Sequence, residues 1–239
     1  MIRCYIKPEE ISAISFDLDD TLYDNSPIIE KAEAGLARFL HHKYPRTSKF
    51  EREDWFALKR KLQKERPELC HDTGLARVSV LTLGLRQLGY SVKEAEAGGL
   101  EGLQCFLQYR SDFTLSQPVL EMLHDLKQKY RLVGITNGNV DADRIGLSPL
   151  FDFVLSPGNG VRMKPAPDMF KIALDRLNIP AVQLLHVGDS HSSDVMGARL
   201  SGCQSLWLNP AFGRSEVEQA KAYLPHIEID NIAQLKLFL

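Results

Sequence analysis

In the stretch ISAISFDLDDTLYDN, Ile11 to Asn25, an apolar run ends in three carboxylates, Asp17, Asp19 and Asp20. Residues two apart in an extended segment point to the same side, so Asp17 and Asp19 can face one ligand with Leu18 directed away. Two later apolar runs end in similar fashion. Arg131–Ile135 leads into Thr136-Asn137-Gly138-Asn139, and Gln183–Val187 leads into Gly188-Asp189-Ser190, with Asp194 close behind. A fourth stretch, Val161-Arg162-Met163-Lys164-Pro165, lies before a helix. Taken singly, an Asp after a strand is a turn or N-cap residue, a reading that suits Asp20, Asp24 and Asp194. A lone Lys164 would be a solvated surface lysine. Carboxylates gathered at one place repel, and burying them needs a cation or hydrogen bonds. Hard oxygen ligands point to Mg²⁺, and no His/Cys set stands nearby to favour zinc.

The elements that would bring these stretches together follow a simple pattern. Ile11–Phe16 reads as a buried strand. The segments Pro27–His42, Phe50–Glu65, Leu75–Leu88 and Val92–Tyr109 read as helices with apolar faces, with no strand among them. From Pro118 onward helices alternate with strands: helix to Tyr130, strands Arg131–Ile135 and Phe151–Leu155, helix Pro167–Leu177, strand Gln183–Val187, helix Asp194–Ser201 and strand Cys203–Leu208. Ile227–Ile229 and a short helix close the chain. Alternation implies a mostly parallel sheet covered on both faces. The expected fold is therefore α/β, a Rossmann-like core (residues 1–25 and 112–239) with an inserted all-helical cap (26–111). Ligands of open parallel sheets bind beyond the carboxyl ends of the strands, where the charged stretches fall.

Composition narrows the function classes. With 29 basic and 31 acidic residues and no basic stripe, the chain lacks the footprint of a nucleic-acid binder. No segment has the length and apolarity of a membrane span, and no apolar leader is visible at the start. The four cysteines are scattered, as free thiols in a reducing cytosol are, so the expected location is cytoplasmic.

The ordered set DLDDT, TNGN, Lys164-Pro165 and GDSHSSD resembles the four motifs of the haloacid dehalogenase-like hydrolase superfamily, and the resemblance spans essentially the whole chain. It implies Mg²⁺-dependent hydrolysis of a phosphate monoester. Asp17 resembles the nucleophile that forms an aspartyl-phosphate. Asp19 resembles the general acid/base, protonating the leaving alcohol and then activating water. Thr136 and the amide of Asn137 would grip phosphoryl oxygens. Lys164 would stabilise developing charge and keep Asp17 ionised. Mg²⁺ would sit on Asp17, the backbone carbonyl of Asp19 and Asp189, with Asp194 in a supporting role. The dehalogenases of the superfamily lack a carboxylate at the place of Asp19, so its presence favours phosphate chemistry.

A narrower resemblance, through DLDDTLYDN, ITNGN, the Lys164-Pro165 loop, LNIP and LHVGD, is to bacterial capped phosphatases of the flavin pathway. Those act on flavin mononucleotide and 5-amino-6-(5-phospho-D-ribitylamino)uracil. The alternatives are a phosphomutase on the same site and a non-catalytic phosphometabolite-binding protein. In the cap, His71 and Asp72 could face the substrate, although a helix–helix turn with Asp72 or Thr73 as an N-cap explains the same residues. Trp55, Phe56 and Tyr109 could stack on a planar ring but read more readily as core, His191 as a surface or cap histidine, and Tyr23 as an entrance or packing residue. The expected partner is a small phosphate ester, taken by a monomer or small homo-oligomer, with no nucleic acid and no membrane.

Overall fold

The computed structural model describes residues 2–220 and 222–238. Seven strands form one sheet: β1 (Ile2–Cys4), β2 (Ala13–Phe16), β3 (Arg131–Ile135), β4 (Phe153–Leu155), β5 (Leu184–Gly188), β6 (Gln204–Leu208) and β7 (Ile227–Ile229), in the order β1-β7-β6-β5-β2-β3-β4. All pairings are parallel except β1 with β7. β1 was not expected: three exposed residues carry no inward face to read, and they are ordered only by pairing with β7. Strand β2 lies between β5 and β3, with Phe16 opposite Val187 on one side and Gly134 on the other. The chain builds outward from β2 in one direction, then returns to build in the other. That reversal opens a crevice at the carboxyl end of β2.

Four of the α-helices between β2 and β3 form one block: α1 (Ser26–Lys43), α2 (Arg52–Glu65), α3 (Thr73–Gln87) and α4 (Val92–Arg110). Their ends obey local rules. Pro27 opens α1. Asp72 caps α3 by accepting from the Leu75 amide at 2.8 Å, and Ser91 and Glu94 form a reciprocal capping box on α4. The block owns a hydrophobic core around Leu36, Leu81, Leu85 and Phe106. Trp55 and Tyr109 pack against that core, as expected, whereas Phe56 is exposed with Arg52 over its ring.

Helix α5 (Gln117–Lys127) covers one face of the sheet through Val119, Met122 and Leu126. Helix α6 (Asp168–Leu177) covers the other through Met169, Phe170 and Ala173. Where one helix was expected over Asp194–Ser201, a π-helical turn at His191–Val195 runs into a short α7 (Met196–Leu200). His191 is buried at 4% exposure, edge-on to Trp207, with Nε2 at 2.8 Å from the Tyr223 carbonyl. The expectation of a surface histidine is thus corrected. A histidine inside a polar run gives no sign of the indole it packs on. Among the described residues no helix is long and apolar enough to cross a membrane.

Candidate active site

The carboxyl ends of β2, β3 and β5 meet at one place. Asp17 extends β2, its amide donating to the Val187 carbonyl at 2.8 Å. Thr136 extends β3 in the same way, bonding Leu155 of β4 at 3.0 Å. Asp189 follows β5, and the Trp207 indole donates to its carbonyl at 2.7 Å. Lys164 arrives from the loop before α6, with the Asn137 side chain clamping its backbone at both ends. The amide of Lys164 donates to Asn137 Oδ1 at 2.8 Å, and Asn137 Nδ2 donates to the Lys164 carbonyl at 3.1 Å. The Asn137 side chain is therefore spent on that loop.

The Lys164 ammonium is 1% exposed and meets Asp17 Oδ1 at 2.7 Å, Asp194 Oδ1 at 2.7 Å and the Ile135 carbonyl. Three acceptors match its three protons. Burial works against the charge, but Asp17 and Asp194 outweigh it and hold the ammonium above the usual lysine range. Asp194 is not a helix cap. Its Oδ2 accepts from the Ser190 amide at 2.9 Å, and its Oδ1 also faces His186 Nε2 at 3.2 Å. Burial would raise its pKa, yet Lys164 and His186 keep it below the ordinary carboxylate value. The π-helical turn folds Asp194 back onto Gly188, where any Cβ would collide with the carboxylate. Behind it, His186 Nδ1 lies 2.9 Å from Ser15 Oγ. A buried chain thus runs Ser15–His186–Asp194–Lys164–Asp17.

One oxygen from each of Asp17, Asp189 and Asp194 lies within 4.8 Å of the others. Burial pushes Asp17 well above the usual range; Lys164 pulls it down, and Asp194 and Asp19 push it further up. Burial, then Asp194 and Asp20, lift Asp189 to about 7. Three carboxylates against one ammonium leave an excess of two negative charges. A small divalent cation with oxygen ligands matches this donor set in charge and in kind.

Asp19 is held on one side only. Tyr23 donates to its Oδ1 at 2.6 Å, and Arg110 Nη2 forms an ion pair with the same oxygen. Its Oδ2 lies over Gly138, 2.5 Å from where a Cβ would stand, beside Thr136 Oγ1. One oxygen is held by Tyr23 and Arg110; the other lies close to Gly138. Burial and then Asp19 push the Tyr23 phenol up, so it stays a donor. Sequence reasoning missed Arg110 and His186, and it placed Tyr23 at the entrance or in packing without its bond to Asp19. Arg110 had one available signal: an insert that leaves the core at Asn25 must return beside it, so its last residues face the first-strand carboxylates.

A cavity of about 280 Å³ joins these groups to the helical block. Asp17, Asp19, Thr136 and Asn137 form its floor, and Ile29, Thr73, Arg77, Phe106 and Arg110 form its far wall. His71 and Asp72 do not line it. His71 Nδ1 accepts from the Met163 amide at 3.4 Å, and Asp72 lies against Gly158, so both dock the cap on the loop that carries Lys164. A second cavity of about 310 Å³, along Asp141 and Phe151–Val154, holds none of the strand-end groups.

Residues 11–202 match the family model for haloacid dehalogenase-like hydrolases. The chain belongs to that family. It is 37% identical over 234 residues to the 5-amino-6-(5-phospho-D-ribitylamino)uracil phosphatase YigB of Escherichia coli, covering 98% of both chains. It is 24% identical to the N-acylneuraminate-9-phosphatase of Rattus norvegicus, over 96% of this chain and 94% of the relative. Among solved structures, a 2-haloacid dehalogenase from Pseudomonas syringae pv. Tomato DC3000 superposes with a TM-score of 0.84 at 33% identity, covering 95% and 97% of the two chains. The helical block between β2 and β3 is the cap of such a fold.

Proposed function

We propose that the protein is a Mg²⁺-dependent phosphatase of small phosphate esters that works through an aspartyl-phosphate on Asp17, with a flavin-pathway ester as its substrate. The enzyme class, a hydrolase of phosphoric monoesters, follows from the family and from phosphatase relatives matched over nearly the full chain. The observation that carries the mechanism is the pairing of two first-strand carboxylates with different surroundings: Asp17 on Lys164, and Asp19 held at Oδ1 by Tyr23 and Arg110 with Oδ2 beside Gly138. Asp17 attacks phosphorus. Asp19 Oδ2 gives a proton to the departing alcohol, then takes one from the water that releases phosphate. Thr136 Oγ and the Asn137 amide bind phosphoryl oxygens, and Lys164 balances their charge.

Mg²⁺ would be held by Asp17, the Asp19 carbonyl and Asp189, and would supply charge neutralisation and Lewis acidity at the phosphoryl group. Asp194, with both oxygens committed to Lys164, His186 and the Ser190 amide, orients Lys164. A halide leaves without a proton, so a dehalogenase would have no use for Asp19; this favours phosphate chemistry over that of the structural relative. We take residues 1–25 and 112–239 as the core domain and 26–111 as the cap. Four free thiols are in keeping with a cytoplasmic enzyme.

The flavin-pathway substrate is supported by the full-length similarity to YigB. The test is phosphate release from flavin mononucleotide, the ribitylaminouracil phosphate, sugar phosphates and p-nitrophenyl phosphate, with Mg²⁺, with chelator and in Asp17→Asn. The expected result is metal-dependent release, greatest on the flavin-related esters and absent in the variant. Equal release over the panel would discard the pathway and keep the mechanism. Return of an isomer from a hexose 1-phosphate would identify a mutase instead.

A further inference from the structure

Among the described residues, Asp20 (φ 56°), Asn159 (φ 52°) and Asn178 (φ 53°) are non-glycine residues with a positive φ. Asn178 ends α6, and Asn159 lies between Gly158 and Gly160 in a turn. Asp20 stands beside the strand-end groups, directly after Asp19. L residues rarely adopt this conformation, and it persists only where neighbours impose it. The torsion at Asp20 sets the angle between the peptide that holds the Asp19 carbonyl and the peptide that leads to Thr21. Thr21 in turn donates to Asp189 Oδ1 at 3.1 Å. The Asp19 carbonyl and the Asp189 carboxylate, both proposed above as Mg²⁺ ligands, are thus tied to this one torsion.

Two of the bonds that hold Asp20 come from the segment after β6. The Phe212 amide donates to the Asp20 carbonyl at 2.6 Å, and Arg214 Nη2 donates to Asp20 Oδ2 at 2.6 Å. The Asn25 amide takes Oδ1 at 2.9 Å. Gly213, at φ 76°, lies so near that a Cβ there would stand 3.2 Å from the Asp24 Cβ. The segment is itself anchored. The Arg214 amide closes a turn on the Ala211 carbonyl at 3.0 Å. The Asn209 side chain binds the amide and the carbonyl of Glu218 at 2.9 and 2.8 Å. Further on, the Tyr223 carbonyl meets His191. The Arg214 side chain is half exposed, and an ion pair so placed adds little to global stability. Its effect is local, on the shape of the Asp20 turn.

We propose that Arg214 is a positioning residue for the Mg²⁺ site. By holding Asp20 in the left-handed conformation, it keeps the Asp19 carbonyl and Asp189 in one arrangement before the metal arrives. Such preorganisation is read as affinity: where only a fraction of the protein has the competent turn, the apparent Kd rises in inverse proportion. The assignment rests on the Mg²⁺ reading above.

Calorimetric titration of metal-free, full-length protein with MgCl₂ separates position from charge. Removing a cation near a metal site tightens metal binding by charge alone, whereas loosening the turn weakens it. Arg214→Ala should therefore raise the Kd for Mg²⁺, by roughly two- to fivefold, the range of an exposed ion pair. Asp20→Gly and Asp20→Ala lose the same carboxylate, but only glycine enters the left-handed region freely. The glycine variant should bind Mg²⁺ more tightly than the alanine variant, and this pair carries the test if circular dichroism shows Arg214→Ala unfolded. An unchanged or lower Kd in folded Arg214→Ala overturns the proposal, as do equal affinities of the two Asp20 variants. Either result leaves the Mg²⁺ reading standing if wild type binds the metal. A wild type that binds no Mg²⁺ would remove that reading and this one together.

Discussion

The two walls of the cavity are built on opposite plans. On the core side, ionic groups are matched almost atom for atom: Lys164 meets three acceptors, and Asp194 binds Lys164, His186 and the Ser190 amide. On the cap side, Arg110 and Arg77 retain unpartnered donors. A closed network holds the reacting groups in one geometry before substrate arrives, which is what catalysis by preorganised charge needs. The cap side pairs its arginines with Asp19 and Glu33 and leaves one buried donor on each unmatched among the described residues. The core wall also gathers a third carboxylate, Asp189, whose charge the proposed Mg²⁺ would balance.

The comparison can be broken most severely at Asp17. Asp17→Asn should lower phosphate release by roughly 10⁴-fold or more, the scale of losing a nucleophile. It should not lower the melting temperature of chelated protein, because burial and neighbouring carboxylates already disfavour the charge it removes. Lys164→Met should cost roughly 10²- to 10³-fold in kcat. It should also destabilise the fold by about 3–5 kcal/mol, since it strands the Asp194 carboxylate without its buried partner. Denaturant melts check the second figure, and an unchanged midpoint would mean the network is not closed as described.

On the side that faces the leaving group, Tyr23→Phe removes one of two holds on Asp19 Oδ1. It should slow alkyl esters by roughly fivefold, about the worth of one hydrogen bond. It should barely affect p-nitrophenyl phosphate, whose leaving group needs no proton. Equal losses on both would assign Tyr23 to packing alone. The smallest expected effect is thermal. Asp189 titrates at about 7 in the metal-free fold, above its ordinary value of 3.8. Its raised pKa therefore favours the fold at low pH, and that contribution is lost as pH rises through about 7. Mg²⁺ should raise the melting temperature by a few degrees more at pH 8 than at pH 5, and an equal shift at both would argue against Asp189 as a ligand.

Much of the core wall was legible in the sequence because strand ends in a parallel sheet share an edge, and Asp17, Thr136 and Asp189 each follow a strand. Lys164 was legible instead from its place in the loop before α6. Arg131–Ile135 is the strand expected, and the four cap helices begin and end within a few residues of their capping signals. The cap wall was not legible. Arg77 and Phe106 sit at ordinary positions on amphipathic helices, and helix periodicity does not say which polar residue turns toward a neighbouring domain. His71 and Asp72 drew attention as a polar break, and the break serves capping and docking. His186 hides inside a strand, where only the opposite residues Ser15 and Asp194 reveal its purpose.

The most direct test of the account is to look for the covalent intermediate. Asp19→Asn protein with Mg²⁺, mixed with p-nitrophenyl phosphate and quenched in acid, should accumulate phosphate, because the first step needs no proton donor and the second has lost its base. Peptide mass spectrometry should place that phosphate on Asp17. A burst of p-nitrophenol with no phosphopeptide, or a phosphate carried by another residue, would contradict the account.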